Sequence, residues 1–338
     1  MLTCNAVRVM SAFSSCKDLL KDKALAVVVW IIITLSVAGN LSSIFIGATL
    51  RERDRTQRLL ITNLGVSDLL NGVYLLIIAI NDRRWAGQYF NKDIEWRSSF
   101  LCNLTGFISM LSIQVSVFTL TAISTIRCIA TLSPLSFRGL TVTTTVATLA
   151  ATWCVGIFLS VAPFLDDSYF KKNSEGFFGG NSVGFFGGNS VCLPLQLPGE
   201  RLNGWEYGLA IFGFLNILLC LYLATAYVVL FYSLRRKPEC AASAKIANEQ
   251  SALVKRLFVV VLTNLFCLFP VGLLMYLSLA GRIVNPQRAV YAWFAVCVMS
   301  LNSAFNPLLY TFTTPKLMKI LKQTAVKIYG FCRTESSK

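Results

Sequence analysis

Charged residues are scarce in this sequence. Asp, Glu, Lys and Arg make up 14% of the 338 residues, against about 25% in an average soluble domain. Hydrophobic residues reach 55%, and the mean hydropathy is +0.62. The charges stand in short islands between long apolar runs. This distribution excludes an ordinary water-soluble domain and indicates a chain that crosses a membrane.

Histidine is absent, and so is any CxxC pair among the eleven cysteines. Histidine is the commonest general base and a frequent metal ligand. Scattered cysteines without paired spacing do not predict a zinc site. The sequence therefore offers no histidine-dependent chemistry and no zinc centre.

Seven apolar runs have the length that a helix needs to cross a bilayer, about 20 residues. They are too long and too regular in hydropathy for the strands of an outer-membrane barrel. Helices satisfy their own backbone hydrogen bonds in lipid, so we predict an all-α bundle of seven transmembrane helices. The predicted spans are Ala24–Leu50, Leu59–Ile80, Phe100–Thr131, Val142–Phe164, Trp205–Leu234, Leu253–Ala280 and Ala289–Phe312.

The distribution of Lys and Arg predicts the orientation. With the N-terminus outside, the cytoplasmic segments carry a large excess of Lys and Arg over Asp and Glu, and the outer segments are nearly balanced. Positive residues favour the cytoplasmic side, so we expect a cytoplasmic C-terminus. The net charge of +15 is then a membrane-orientation signal, and no nucleic-acid partner is predicted. Residues 1–23 lack the apolar core of a signal peptide; either the first helix is the insertion signal, or the chain lacks its natural beginning.

Three further absences narrow the class of seven-helix protein. The seventh run has no lysine, which excludes a retinal Schiff base there. Two related halves with broken helices, typical of transporters, are not visible. Rings of charge or a carbonyl filter motif, typical of channels, are not visible either.

One acidic residue, Asp68, lies inside an apolar run. A charge at mid-helix costs about 2.5–3.5 kcal/mol on insertion scales, so Asp68 needs polar partners. Carboxylate, hydroxyl and amide oxygens suit a small hard cation, and we predict a candidate Na⁺ site here. The alternative is a polar patch between helices without an ion. The candidate partners in the third and seventh runs are Ser116, Asn302, Ser303 and Asn306.

Prolines lie well inside two of the runs, and a third, Pro163, lies near the end of the fourth. Pro270 in the sixth and Pro307 in the seventh each remove a helical N–H and predict a kink. Kinked helices can pivot, so both residues are candidates for an activation switch. The alternative is that proline is simply common in membrane helices.

Short motifs, in order along the seven runs, resemble those of rhodopsin-like (class A) G-protein-coupled receptors. The family implies an outside signal passed to a heterotrimeric G protein by helix rearrangement, without catalysis. The motifs are Gly39–Asn40, NLxxxD with Asn63, Leu64 and Asp68, Cys102 opening the third run, Trp153, CxxP with Cys267 and Pro270, and NPxxY with Asn306, Pro307 and Tyr310.

A narrower resemblance is to the leucine-rich-repeat-containing hormone receptors. CKDLL before the first run, FFGGNSVCLPL before the fifth and NSAFNPLLYTFTT in the seventh are most similar to the relaxin-receptor branch, with the glycoprotein-hormone branch second. The resemblance covers about Cys16 to Lys322 and implies a peptide or protein hormone as ligand. No LxxLxL pattern precedes the first run, so the chain resembles the transmembrane portion and the end of the hinge.

A perfect tandem repeat, GFFGGNSV at 176–183 and again at 184–191, falls in the predicted second outer loop. Such a loop accepts eight extra residues at small entropic cost. The second copy resembles the family segment that leads into Cys192, and the resemblance implies a disulfide between Cys192 and Cys102. The first copy is then the inserted one. It is either a modified lid or a neutral duplication.

The inner end of the third run departs from the family pattern of an acid, an arginine and an aromatic residue. The chain has Ile126, Arg127 and Cys128. The resemblance implies that Arg127 engages the G protein. Without the neighbouring acid we predict raised basal activity, unless Glu249 substitutes; loss of coupling is the alternative.

Other switch positions implied by the resemblance are Tyr227, Tyr310 and Leu268, which replaces a frequent tryptophan. After the seventh run, residues 314–330 place apolar and basic residues on opposite faces, as in a helix lying on the inner leaflet. Cys332 just beyond is a palmitoylation candidate, with a plain free thiol as the alternative.

The sequence thus predicts a hinge remnant over 1–23, a receptor domain over 24–313, and an amphipathic helix and tail over 314–338. We expect a non-enzymatic, multi-pass plasma-membrane receptor, with a hormone, a G protein and the bilayer as partners. No cofactor is predicted beyond a structural Na⁺. The alternative is a constitutively active or non-signalling seven-helix protein.

Overall fold

The computed structural model describes residues 14–49, 55–132, 141–170, 183–193, 203–234, 241–280, 282 and 293–311. Over these residues the protein is a bundle of seven helices, which confirms the predicted fold class. The helices are α1 Lys23–Thr49, α2 Arg55–Arg84, α3 Phe100–Leu132, α4 Val142–Val161, α5 with its main part Asn216–Leu234, α6 Ala241–Leu279 and α7 with its main part Met299–Thr311.

The distribution of side chains is the reverse of that in a soluble domain. Large apolar residues such as Phe45, Phe158 and Val228 are more than half exposed on the outside of the bundle. Polar residues such as Asn40 and Asp68 are 1% exposed inside it. Apolar surface faces lipid at no cost, whereas buried polar groups need partners within the protein. Within the described residues, six helices are long and apolar enough to cross a membrane, and the apolar part of the seventh is shorter, Ala295–Leu309.

The third helix lies at the centre of the bundle. It packs against α2, α4, α5 and α6, while α1 packs between α2 and α7, and α6 between α5 and α7. In an apolar 18-residue stretch of α3, 67% of the residues are buried, against 33% in the corresponding stretch of α1. Residues on α3 can therefore interact with most of the other helices.

The helix ends differ from the predicted spans. The second helix begins at Arg55 and ends at Arg84, beyond Leu59–Ile80, and α6 begins at Ala241 rather than Leu253. Hydropathy locates the part of a helix that crosses the hydrocarbon, whereas hydrogen bonding continues into water. The amphipathic segment 314–330 and Cys332 lie outside the described residues.

Two helices contain wider turns that the sequence does not predict. The fifth begins with Trp205–Gly208 and passes through a π-helical stretch, Leu209–Leu215. The seventh begins with a π-helical stretch, Phe294–Val298. Such stretches shift the register of the residues that follow and often lie at functional sites.

The half of the bundle that contains Arg127 is closed by what we call the inner apolar cluster. It joins α2, α3, α5 and α6 through side chains that are at most 7% exposed. Its members are Leu60, Leu64, Leu120, Ile123, Ile126, Leu223, Tyr227, Leu230, Val254, Leu257, Val260 and Val261.

Candidate functional site

The Asp68 carboxylate joins three helices in the middle of the bundle. Ser116 on α3 donates its hydroxyl to Asp68 Oδ1 at 3.2 Å. Asn306 on α7 donates its Nδ2 to Asp68 Oδ2 at 2.7 Å. The Ser303 side chain also interacts with the carboxylate. The predicted partners Ser116, Ser303 and Asn306 therefore do surround Asp68.

The first helix contributes residues to this site that the sequence did not single out as partners. Ser36 donates its hydroxyl to the Asp68 backbone carbonyl at 3.2 Å. Asn40 donates its Nδ2 to the Ser303 carbonyl at 2.9 Å and to the Ser36 carbonyl at 2.8 Å. The spacing of four residues between Ser36 and Asn40 places both on one helix face. This spacing is the sequence pattern from which a polar contact of α1 could have been predicted.

The fifth predicted member, Asn302, is buried next to Ser303 but makes no described bond to Asp68. Its Oδ1 and that of Asn306 lack a hydrogen-bond partner among the described residues. The Asp68 carboxylate, the hydroxyls of Ser116 and Ser303 and the unpartnered Asn306 Oδ1 form an all-oxygen donor set. Such a set fits a small hard cation or ordered water.

A second polar connection crosses the bundle beside Asp68. Asn63 on α2 donates its Nδ2 to the Thr119 hydroxyl at 2.8 Å. Trp153 on α4 donates its Nε1 to Asn63 Oδ1 at 2.7 Å. The Asn63 side chain thus donates one hydrogen bond and accepts another, and these bonds connect α2, α3 and α4.

Arg127 lies near the C-terminal end of α3. Its Nη2 donates to Oε1 of Gln57, in the first turns of α2, at 2.9 Å. Its neighbour Ile126 is 7% exposed and belongs to the inner apolar cluster. Gln57 is a partner of Arg127 that the sequence did not predict. The Glu249 side chain, named as a substitute, lies outside the described side chains.

Three other predicted switch residues are buried at helix contacts. The Tyr227 ring is 2% exposed, with its centroid 5.8 Å from that of Phe258 on α6. Pro307 lies against Gly39 of α1, whose added Cβ would lie 3.0 Å from the proline ring. Leu268 is 6% exposed in the outer core.

Pro270 is inside α6, as predicted. The Tyr310 side chain lies outside the described side chains.

The end of the bundle opposite Arg127 carries the implied disulfide. Cys102 and Cys192 are bonded, with their Cα atoms 5.5 Å apart. The second octapeptide copy leads into Cys192, and its Phe185 and Phe186 are 3% and 1% exposed. Arg97 donates its Nε to the Gly187 carbonyl at 2.7 Å and its Nη2 to the Gly188 carbonyl at 3.2 Å. Residues 176–182 of the first copy lie outside the described residues.

The segment before α1 packs into the same end of the bundle as the disulfide. Leu19 and Leu20 are 0% and 2% exposed. The Leu20 N–H donates to Asp82 Oδ1 of α2 at 2.8 Å. Trp293 at the start of α7 donates its Nε1 to Asp22 Oδ2 at 3.1 Å. Residues 14–22 therefore connect α2 and α7, which the sequence did not predict.

The connection between α2 and α3, residues 85–99, anchors this segment from the side. The Tyr89 N–H donates to the Lys17 carbonyl at 3.2 Å. The Tyr89 hydroxyl donates to Asp93 Oδ1 at 2.9 Å. Burial and the negative charge of Asp93 raise the pKa of Tyr89. The phenol therefore stays protonated and keeps donating to Asp93 at neutral pH.

Comparisons with known proteins agree with this arrangement. Residues 39–310 match the family of 7 transmembrane receptors (rhodopsin family). The chain is 35% identical to the G-protein coupled receptor GRL101 of Lymnaea stagnalis over 93% of its length and 27% of the relative's. It is 32% identical to relaxin receptor 2 of Canis lupus familiaris over 92% of its length and 40% of the relative's.

A third relative, the lutropin-choriogonadotropic hormone receptor of Gallus gallus, is 28% identical over 96% of the chain and 41% of the relative. The chain thus spans about a quarter to two-fifths of the length of these relatives. The resemblance to hormone receptors of the relaxin and glycoprotein-hormone type is confirmed, as is the prediction of a non-enzymatic membrane protein. The chain belongs to the rhodopsin family of seven-transmembrane receptors.

Proposed function

We propose that this chain receives a peptide or protein hormone signal outside the cell and passes it to a heterotrimeric G protein by outward movement of α6. The observation that carries the proposal is the position of Arg127. It is a cation at the inner end of the central helix, beside an apolar cluster that α6 closes. The names of the relatives, relaxin receptor 2 and lutropin-choriogonadotropic hormone receptor, support the hormone class.

In this mechanism the inner apolar cluster is the part that opens. Its α6 members Val254, Leu257 and Val261 are at most 3% exposed. Moving them away from α3 exposes apolar surface, at about 25 cal/mol per Å². A G protein that fills the opening with apolar residues would offset this cost. Arg127 then becomes available to the G protein.

The signal would enter through the segment that precedes α1 and the second outer loop. Residues 14–22 contact α2 through Asp82 and α7 through Trp293. The second octapeptide copy is joined to α3 by the Cys102–Cys192 disulfide. A disulfide forms in an oxidising compartment, which supports an extracellular location for this end and a cytoplasmic location for Arg127.

We also propose that Na⁺ binds beside Asp68 in the closed state. Asp68 and Ser116 would hold the ion, with the unpartnered oxygens of Asn302 and Asn306 as further donors. The ion would stabilise the present arrangement of α2, α3 and α7. No other cofactor is proposed.

The test is G-protein activation in cells that express the chain together with G-protein dissociation sensors of each subtype. We expect basal dissociation of at least one subtype above mock-transfected cells. The variant Arg127→Ala should abolish it. The matched control is Arg55→Ala, because Arg55 is an exposed arginine at the same end of the bundle.

A second candidate function is a membrane protein that does not signal, such as a decoy or a subunit of another receptor. The residue that favours it is Ile126, which replaces the acid of the family pattern. Equal sensor signals for the wild type, Arg127→Ala and mock-transfected cells, at matched surface expression, would favour this candidate and contradict signalling.

A further inference from the structure

The contact between Arg127 and Gln57 joins a permanent cation to a neutral amide. The guanidinium Nη2 and the amide Oε1 are 2.9 Å apart. Gln57 is partly buried near the start of α2, three residues before Leu60 of the inner apolar cluster. The bond therefore connects α2 and α3 beside the cluster that α6 closes.

The residue before Arg127 adds an apolar contact rather than a charge. Ile126 is 7% exposed within the inner apolar cluster. The cluster also contains Val254, Leu257, Val260 and Val261 of α6. One helical turn of α3 thus contains both an arginine held by α2 and an isoleucine that belongs to the contact with α6.

We propose that Gln57 is a positioning residue that holds Arg127 in the closed state. The neutral acceptor on α2 and the apolar neighbour Ile126 would both contribute to the resting form. This proposal rests on the proposed function, because it assumes that the open state uses Arg127. It adds that the Gln57 amide is one of the groups that must release the arginine before the G protein can bind it.

The strength of such a lock follows from the chemistry of its acceptor. The Arg127 guanidinium is charged, so its bond to the neutral amide is already charge-assisted, and a carboxylate acceptor adds an opposite charge that strengthens it further. Loss of a hydrogen bond to a charged group should shift a two-state equilibrium by about tenfold or more. A stronger acceptor at position 57 should therefore lower the fraction of molecules that are open without hormone, and loss of the acceptor should raise it.

The test compares three replacements of Gln57. Gln57→Glu replaces the amide with a carboxylate of the same length and should close α6 further. Gln57→Leu keeps the size and removes the acceptor, and it should raise the open fraction about tenfold or more. Gln57→Asn keeps the amide but shortens the side chain by one methylene, so the bond should weaken and the open fraction should shift in the same direction as with Gln57→Leu.

The readout must report helix position without a G protein. An environment-sensitive fluorescent amino acid is placed by stop-codon suppression at Lys255, which is exposed on the inner part of α6. The same probe at Val142, exposed at the start of α4, is the matched control and should not respond. GTP-analogue uptake by G protein is measured on the same preparations.

The expected result is opposite fluorescence shifts for Gln57→Glu and Gln57→Leu, and no effect of either in an Arg127→Met background. Shifts in the same direction, shifts that persist with Arg127→Met, or no shift would overturn the proposal. The proposal would also be overturned if Glu249→Gln opened α6 while Gln57→Leu had no effect, because Glu249 would then be the residue that holds Arg127. Opposite shifts without any nucleotide uptake would support the lock and contradict the proposed function, so the two failures are distinct.

Discussion

Asn306 on α7 donates its amide hydrogen to Asp68 on α2 across 2.7 Å, and the two residues are 238 positions apart in the sequence. Asp68 is 1% exposed, and Asn306 is also 1% exposed. Asn306 directly precedes Pro307, which removes a backbone donor from the helix. The polar core is therefore attached to the part of α7 that is best able to bend.

The first prediction concerns Na⁺ at Asp68. Replacing N-methylglucamine chloride with NaCl should raise the melting temperature of the solubilised protein, because the ion binds the folded state. At a tenfold excess of Na⁺ over its dissociation constant, the stabilisation should be about 1.4 kcal/mol. Asp68→Asn should remove the effect, and the exposed control Ser42→Ala should keep it. A Na⁺-dependent shift that survives in Asp68→Asn would exclude a cation site there.

The second prediction concerns Ile126→Asp. A carboxylate next to Arg127 adds a charged partner, and such bonds contribute about 1.5–3 kcal/mol. Basal G-protein activation should therefore fall about tenfold or more. Ile126→Asn is the matched control, because it removes the same apolar packing without adding a charge. Equal basal activity in the wild type and Ile126→Asp would show that the missing acid does not set the resting state.

The third prediction concerns the contact of α1 with α7. An added Cβ at Gly39 would lie 3.0 Å from two ring atoms of Pro307, so Gly39→Val should force the helices apart. Overpacking of this kind costs about 1–3 kcal/mol and should lower the melting temperature. Ala38→Val places the same side chain at an exposed neighbouring position and should have little effect. Equal melting temperatures for the two variants would mean that the contact is not tight.

The fourth prediction concerns Arg97. Its guanidinium donates one hydrogen bond to the Gly187 carbonyl and one to the Gly188 carbonyl. A lysine ammonium cannot reproduce this planar pair of donors. Arg97→Lys should loosen the second octapeptide copy and expose Phe185 and Phe186 to chymotrypsin. Fragment masses distinguish these sites from the phenylalanines of the first copy. Lys92→Arg, which retains the exposed pair with Glu95, is the control. Unchanged cleavage at Phe185 and Phe186 in Arg97→Lys would show that Arg97 does not hold the loop.

Much of the polar core was predictable because lipid penalises an unpaired charge so heavily. A single acid in an apolar run must have polar partners, and the candidates were few. Ser116, Ser303 and Asn306 do meet Asp68. The partner of Cys192 came from the family resemblance instead, because spacing alone does not pair eleven cysteines.

The contacts that remained unpredicted depend on tertiary geometry. Gln57 stands at the polar end of a helix, where amides are common and have no distinctive pattern. The π-helical stretch Leu209–Leu215 has the same apolar composition as an ordinary span. The burial of Leu19 and Leu20 depends on how the chain before α1 returns over the bundle, which no local pattern shows.

The most direct test of signalling through Arg127 uses purified components. The protein is placed in lipid nanodiscs with a purified heterotrimeric G protein of the subtype that responds in cells, and uptake of a non-hydrolysable GTP analogue is followed. We predict faster uptake with the wild type than with empty nanodiscs, and a return to the empty rate with Arg127→Ala. Equal rates for the wild type, Arg127→Ala and empty nanodiscs would contradict the account.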